Sequence, residues 1–246
     1  MRVLLRQLLS LTSIVLVSSF SKALSSDVLS TTEVLATENT YYGPSSLNIG
    51  VIVYDGVALL DYVGPSSYFE FLRSAGVSVT FSTISEVAGV VYSAPARVPA
   101  YSLTSFHDAP QQFDVLLVPG GPGRAGVLKN REFMEYITLA ATSSKYVFVV
   151  CTGAEIVAAT GFLDGKNATT NKIGYDSVTA KRPAVNWVRK ARWVVDGNAW
   201  TSSGVSAGTD MGRAFIATVY NESVANAITR AMEYMPNLDP SNDIYA

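Results

Sequence analysis

One stretch near the middle of the sequence constrains the fold most: an apolar run that leads directly into the only cysteine. Residues 146–150 read Tyr-Val-Phe-Val-Val, and Cys151, Thr152 and Gly153 follow. Aromatic and β-branched residues in an unbroken run predict a buried strand of a parallel sheet. A helix-like segment, residues 155–160, comes next. Strand, one-residue elbow and helix form the geometry that presents a nucleophile at the carboxyl end of such a sheet.

Two interpretations of Cys151 stand at this point. As a nucleophile on an elbow, it would have a helix N-terminus beside it, which we expect to favour the thiolate. As a structural residue, it would be a small buried hydrophobe, which is what free cysteines usually are. The local pattern does not decide between them.

The rest of the chain alternates strands with helices. Apolar runs at 47–54 and 113–118 predict further buried strands, and the alternation at 77–84 predicts another strand. Asn130 is the expected N-cap of a helix before the elbow strand. Asp196-Gly197-Asn198 predicts a hairpin turn. Pro65 is tolerated in a first helical turn, so we expect a helix to begin near Gly64. The pattern indicates an α/β fold with a mostly parallel sheet covered by helices.

Composition excludes several classes of function. The 246 residues are 48% hydrophobic and 15% charged, with a net charge of −2 and no recurring basic cluster, so no nucleic-acid partner is indicated. One cysteine and one histidine exclude a disulfide framework and the usual zinc sites. These counts imply no metal. The enzyme that we expect is also cofactor-free.

The first residues have the layout of a secretory signal peptide. Arg2 and Arg6 precede an apolar run at 8–17, and Ala23 ends a small-x-small cleavage site. We predict a signal peptide at 1–23, a disordered leader at 24–46, one domain at 47–238 and a tail at 239–246. The product would be secreted without a stable membrane anchor, and the sequons at Asn167 and Asn221 are predicted glycosylation sites.

Unusual residues follow several of the predicted strands. Asp61 comes after the first strand, on the expected loop before the helix, Gly120 and Gly121 after the strand at 113–118, and Cys151 and Thr152 after the elbow strand. Ligands bind at the carboxyl ends of strands in such sheets. Asp61 is a candidate acid–base group, and the glycine and threonine N–H groups are candidate donors to a developing charge. The alternatives are a helix-entry aspartate and a plain tight turn.

A cysteine–histidine pair is the commoner arrangement for a thiol nucleophile. The only histidine, His107, lies in a loop before a predicted strand. That position places it toward the amino-terminal edge of the sheet, away from the expected site. We therefore do not expect His107 to be catalytic.

Several motifs together resemble the ThiJ/PfpI superfamily, and most closely its isonitrile hydratase branch. They occur in family order over about residues 48–236. The motifs are Leu60-Asp61-Tyr62-Val63-Gly64-Pro65, Val118-Pro119-Gly120-Gly121, Val150-Cys151-Thr152-Gly153-Ala154, Gly161-Phe162-Leu163-Asp164-Gly165 and Ser202-Ser203-Gly204-Val205.

The resemblance implies a flavodoxin-like sandwich with helices on both faces of the sheet, usually a homodimer. It implies a cysteine nucleophile at Cys151, an acid–base carboxyl at Asp61, proton handling by Thr152 and a backbone donor at Gly121. In the branch it resembles, the thiolate attacks the terminal carbon of an isonitrile, and water then releases an N-substituted formamide. The expected partner is a small electrophilic substrate, and the expected enzyme class is a hydro-lyase.

One position departs from the pattern of the superfamily. Members commonly carry Thr-Thr-His after the elbow helix, whereas this chain has Asn171 after Thr169 and Thr170. Asn171 hydrogen-bonds but is not a base at neutral pH. It is a candidate pocket residue, and it disfavours the alternative of a glyoxalase or deglycase acting on reactive aldehydes. A non-catalytic secreted binding protein of the same fold is the second alternative.

Overall fold

Seven strands form the central sheet of the computed structural model, which describes residues 43–246. Their order is β10-β11-β7-β6-β1-β2-β5, and every neighbouring pair is parallel except β10 and β11. The strands of this sheet are β1 (Ser46–Ile52), β2 (Ser78–Ser85), β5 (Thr104–Ser105), β6 (Val115–Val118), β7 (Tyr146–Val150), β10 (Trp193–Asp196) and β11 (Ala199–Ser202).

The remaining strands form two small sheets of two strands each. β3 (Gly89–Tyr92) pairs antiparallel with β4 (Pro99–Ser102), and β8 (Asn167–Ala168) pairs parallel with β9 (Asn186–Trp187). Both pairs are separate from the seven-stranded sheet.

Seven α-helices surround the sheet in the described residues. They are α1 (Leu59–Phe71), α2 (Arg124–Val127), α3 (Arg131–Ser143), α4 (Gly153–Ala159), α5 (Tyr175–Thr179), α6 (Ala207–Val219) and α7 (Glu222–Ala231). Helices α1, α6 and α7 pack together, and α4 contacts α2, α3 and α5. The predicted cap is confirmed, since the Asn130 side chain accepts a hydrogen bond from the Phe133 N–H at the start of α3.

Both faces of the sheet are buried, as the unbroken apolar strands predict. On β7, Val147 and Val149 belong to a core cluster that also holds Ile137 and Val157 from α3 and α4. Between them, Phe148 points to the opposite face. There its ring meets those of Phe69, Phe215 and Trp200, with centroids 5.7, 5.9 and 6.3 Å away. The predicted α/β sandwich is confirmed.

The start of the first helix differs from the prediction. Helix α1 begins at Leu59, so Asp61 lies in its first turn and Pro65 lies inside the helix. A proline there lacks the N–H that would bond to the carbonyl four residues earlier. Packing accommodates it: Gly64 faces Thr209, and Gly212 leaves room for Pro65. The expectation that Asp61 sits on a loop was wrong for this reason.

The predicted signal peptide at 1–23, and the predicted leader up to residue 42, lie outside the described residues. Among residues 43–246 no helix is both long enough and apolar enough to cross a bilayer.

Candidate active site

Cys151 occupies a sharp turn between β7 and α4. Its φ angle is 60°, a left-handed conformation that is uncommon for residues other than glycine and costs about 1–3 kcal/mol. Hydrogen bonds fix its backbone on both sides. The Cys151 N–H donates to the carbonyls of Ser202 and Ser203, at 3.2 and 3.1 Å, and the Thr170 hydroxyl donates to the Cys151 carbonyl at 2.9 Å. The elbow predicted from sequence is present.

The thiol of Cys151 is protonated at neutral pH. Burial, followed by the negative charge of Asp61, raises the pKa of Cys151 to about 11, although hydrogen bonds from Thr152 and from the Val205 N–H oppose the rise. The side chain is 7% exposed. The Thr152 N–H at the start of the helix lowers the pKa of the thiol, as expected, but desolvation and the neighbouring carboxylate outweigh this effect.

Asp61 lies fully buried beside this thiol. Its Oδ2 accepts a hydrogen bond of 2.9 Å from the Gly120 N–H, whereas its Oδ1 has no hydrogen-bond partner of good geometry among the described residues. Burial raises the pKa of Asp61 to about 6, against the opposing effects of the Gly120 N–H and the Cys151 thiol. The structure thus brings together a neutral thiol and a carboxylate that takes up a proton near neutral pH.

The two glycines after β6 form the wall opposite the elbow. The Gly120 N–H is occupied by Asp61, and the Gly121 N–H donates to the Thr152 hydroxyl at 3.0 Å. Gly121 has a φ angle of 138°, and a methyl group on it would collide with the Gly56 carbonyl. Both predicted backbone donors therefore lie at the site, with their N–H groups engaged in internal hydrogen bonds.

Thr152 links the elbow to this wall. It is 9% exposed, and its hydroxyl accepts from Gly121 while its N–H faces the sulfur of Cys151. Two N–H groups, those of Thr152 and Val205, therefore point toward the reactive atom from different segments. They are donors that a charge developing at this point would use.

Asn171 lies at an open cleft of about 420 Å³ next to the elbow. Its Oδ1 accepts a hydrogen bond of 3.0 Å from the Gly174 N–H. Gly204, Val205 and Tyr245 also line this cleft. Because the Val205 N–H reaches the thiol, the cleft adjoins Cys151, and the prediction of Asn171 as a pocket residue is compatible with its position.

Three further residues at the site were not among the predicted site residues. The Tyr54 hydroxyl donates to the Pro119 carbonyl at 2.9 Å, and burial, with the charges of Asp61 and Cys151, raises its pKa well above the usual value. Thr170, fully buried, holds the Cys151 carbonyl. Glu155, on the elbow helix, pairs with Arg124 and Lys181.

Burial raises the pKa of Glu155, but hydrogen bonds from Lys181 and Arg124 outweigh it, so the net pKa is lowered. Glu155 therefore stays ionised beneath the elbow, as a paired carboxylate. Of the carboxyl groups described here around the elbow, Asp61 is the one with a raised pKa.

The remaining candidates lie away from the elbow. His107 is an exposed loop residue 4.0 Å from Glu132. Within residues 43–246 no cluster of three or more His, Cys, Asp or Glu side chains could hold a metal ion. Asn167 donates through its side-chain amide to Asp196 at 3.0 Å, and Asn221 caps helix α7 through its side-chain oxygen.

Comparison with known proteins identifies the family of the chain. The family model described as the DJ-1/PfpI family matches residues 48–218. Isonitrile hydratase of Pseudomonas putida is 29% identical over 192 residues, covering 78% of this chain and 80% of the relative. Deglycase PfpI of Pyrococcus furiosus is 35% identical over 95 residues, covering 38% of this chain and 54% of the relative.

Solved structures give the same result. A ThiJ/PfpI family protein from Pseudomonas syringae superposes with a TM-score of 0.73 at 28% identity, covering 81% of this chain and 79% of that one. The fold is also that of Drosophila melanogaster DJ-1beta, with a TM-score of 0.62 at 18% identity over 77% of this chain and 99% of that one. The chain belongs to the DJ-1/PfpI family.

Proposed function

We propose that the protein is a cofactor-free, cysteine-dependent hydro-lyase that adds water to the terminal carbon of a small isonitrile. The observation that carries the proposal is the buried pair of Asp61 and Cys151, in which one carboxylate oxygen has no hydrogen-bond partner of good geometry and burial raises the pKa of both groups. Similarity to an isonitrile hydratase over 78% of the chain supports the choice of substrate class.

The pKa values of Asp61 and Cys151 define the resting state and the first step. Above about pH 6 the site holds a carboxylate and a neutral thiol. Asp61 accepts the thiol proton as the sulfur attacks, so a bond forms between Sγ and the terminal isonitrile carbon. The same proton is then delivered to that carbon, which gives a thioimidate and restores the carboxylate.

Water completes the reaction in the second step. Asp61 removes a proton from a water molecule that adds to the thioimidate carbon, and passes this proton to the substrate nitrogen. The C–S bond then breaks as the carbonyl forms, Asp61 transfers the remaining hydroxyl proton to the sulfur, and the product is an N-substituted formamide. Atoms balance as one isonitrile plus one water. The N–H groups of Thr152 and Val205 stabilise negative charge on sulfur as it attacks and leaves.

The test is turnover by the purified protein. Wild type should convert an alkyl or aryl isonitrile to the formamide, measured by chromatography, and Cys151→Ala and Asp61→Asn should both lose at least about a thousandfold in kcat/KM. Asp108→Asn, which changes an exposed loop residue, is the matched control and should keep full rate. Full activity in Cys151→Ala would refute the nucleophile assignment.

A second candidate function follows from the deglycase relatives. Four archaeal deglycases are 33–36% identical to this chain, each over 38–40% of its length. A deglycase or glyoxalase acting on reactive aldehydes is therefore the enzymatic alternative. Asn171 supplies no base where superfamily members commonly carry histidine, which favours the hydratase. Turnover of methylglyoxal by a protein inert toward isonitriles would reverse this choice.

The third reading is a secreted binding protein that keeps the fold without chemistry. It requires that no turnover occurs with either substrate class while a small molecule still binds beside Cys151. Secretion itself is tested by N-terminal sequencing of exported protein, which should begin after Ala23. An intact Met1 would contradict it.

A further inference from the structure

Residues 236–246, which follow helix α7, pack onto the loops beside the elbow. The Pro240 carbonyl accepts a hydrogen bond of 2.7 Å from the Arg192 N–H, and the Asn237 N–H donates to Asp210 at 3.1 Å. Within this segment Asp243 is 4% exposed. An aspartate is almost never so deeply buried without a partner, so a compensating charge or hydrogen bonds are expected around it.

Asp243 forms a buried ion pair with Lys172. Lys172 Nζ lies 3.4 Å from Asp243 Oδ2, and the two side chains are 5% and 0% exposed. Lys172 Nζ also donates to the Thr169 hydroxyl and to the carbonyls of Thr170 and Ala191, at 2.9, 3.1 and 2.9 Å. The ammonium group is thus surrounded by acceptors, and removing one buried partner of such a pair leaves an uncompensated charge.

The charge state of the pair follows from its contacts. Burial raises the pKa of Asp243, but hydrogen bonds from Ser203 and the Tyr245 N–H, with the charge of Lys172, outweigh it and lower the net pKa. Burial lowers the pKa of Lys172, against the opposing charge of Asp243. Asp243 therefore remains ionised at neutral pH.

Two of the residues that contact Asp243, Lys172 and Ser203, also take part in the hydrogen bonds that hold the Cys151 backbone. On one side, Lys172 holds the Thr170 carbonyl, and the Thr170 hydroxyl donates to the Cys151 carbonyl at 2.9 Å. On the other side, Ser203 bonds to Asp243, and the Ser203 carbonyl accepts from the Cys151 N–H at 3.1 Å. These are the contacts that fix the left-handed turn of the elbow.

We propose that Asp243 is a positioning residue for the nucleophile: by binding Lys172 and Ser203 together, it holds both supports of the Cys151 backbone in place. It touches neither thiol nor substrate. Its effect on turnover rests on the proposed function, whereas its effect on the thiol does not. The carboxylate connects the loop that carries Lys172 to the loop that carries Ser203, and each of these loops helps to keep the elbow in its strained conformation.

The experiment compares Asp243→Asn with Asp239→Asn, a control in the same segment whose carboxylate is exposed and accepts its hydrogen bonds from the N–H and hydroxyl of Ser241. Cys151 is the only cysteine, so alkylation by iodoacetamide reports on it alone. In Asp243→Asn the turn relaxes, the thiol leaves its buried position and its pKa falls from about 11 toward the ordinary 9.0.

Two readouts should then move in opposite directions. Alkylation of Asp243→Asn at about pH 8 should be about tenfold faster than in wild type, with a shifted pH profile, because more thiolate is present. Isonitrile hydration should fall by about tenfold to a hundredfold, because the sulfur is misplaced. Asp239→Asn should match wild type in both.

Several outcomes would overturn the inference. One is a wild-type alkylation profile in a folded Asp243→Asn protein, including the case in which only its melting temperature falls. Another is an equal shift in Asp239→Asn. If Asp243→Asn does not fold, Ser203→Ala keeps the ion pair and removes one connection, so it should accelerate alkylation by a smaller factor, and no change there refutes the proposal. Since alkylation needs no substrate, a wild type inert toward isonitriles refutes the hydratase alone.

Discussion

Replacing Asp61 by asparagine should abolish hydration and at the same time stabilise the fold. The carboxyl is fully buried, and its pKa is raised from 3.8 to about 6. Folding therefore favours the protonated form, and keeping Asp61 ionised at the working pH costs stability. Asparagine is neutral at every pH, and its side-chain oxygen still accepts the Gly120 hydrogen bond.

The size of the effect follows from linkage. Because its pKa is raised in the folded state, the carboxyl contributes most to folding stability below about pH 4, and this contribution is lost as the pH rises through about 6. The difference between about 6 and 3.8 corresponds to about 3 kcal/mol. At about pH 8 we expect the free energy of unfolding of Asp61→Asn to exceed that of wild type by up to about 3 kcal/mol.

The assay is urea unfolding of wild type and Asp61→Asn at about pH 8 and about pH 4. The stability gain of the variant should be large at the higher pH and small at the lower one. Asp108→Asn, at an exposed position, should show no such pH-dependent difference. A gain that is the same at both pH values, or a loss of stability at about pH 8, would refute the reasoning.

Three further predictions concern the thiol, the glycine wall and the core. The rate of Cys151 alkylation by iodoacetamide should rise about tenfold for each pH unit from about 7 to 10, since its pKa is about 11; a plateau near pH 8 would contradict this. Gly121→Ala should lose about 3 kcal/mol in urea unfolding because of its positive φ angle and the crowding by Gly56, whereas Gly126→Ala, with open space around it, should lose little. Phe215→Ala should lose about 3–5 kcal/mol, because a fully buried ring is replaced by a cavity, and Leu139→Ala, at a 48% exposed position, serves as its control.

The sheet could be predicted from sequence because its signals are local. Most of the buried strands are short apolar runs, the Asn130 cap precedes its helix, and the hairpin turn consists of Gly197 and Asn198, since Asp196 is already the last residue of β10. The nucleophile elbow followed from the cysteine that ends such a run. These features depend on neighbouring residues, so a single chain displays them.

Two features of the site could not be predicted because they depend on packing. Pro65 suggested a later helix start, and only the fit against α6 lets the helix begin at Leu59 and place Asp61 in its first turn. The sign of the Cys151 pKa shift was missed because the helix N-terminus is visible in the sequence, whereas burial and the approach of Asp61 are not.

The support of the elbow is likewise invisible along the chain. Thr170 meets Cys151 from 19 residues away, and Asp243 meets Lys172 from a segment beyond the last helix. Neither contact leaves a spacing that periodicity or motifs would reveal. Resemblance placed Asp61 and Cys151 in one site, but it did not extend to residues 236–246.

The high pKa of the buried Cys151 thiol also affects how readily the protein is oxidised. Peroxides oxidise thiolates, and susceptibility follows thiolate character and exposure. A thiol that is 7% exposed, with a pKa of about 11, is a poor target for them. In the proposed mechanism the nucleophile forms only when Asp61 takes the thiol proton during attack, so between turnovers the site would rest in a form that resists oxidation to sulfenic acid. Reactivity toward substrate and resistance to oxidation would then both result from one buried pair.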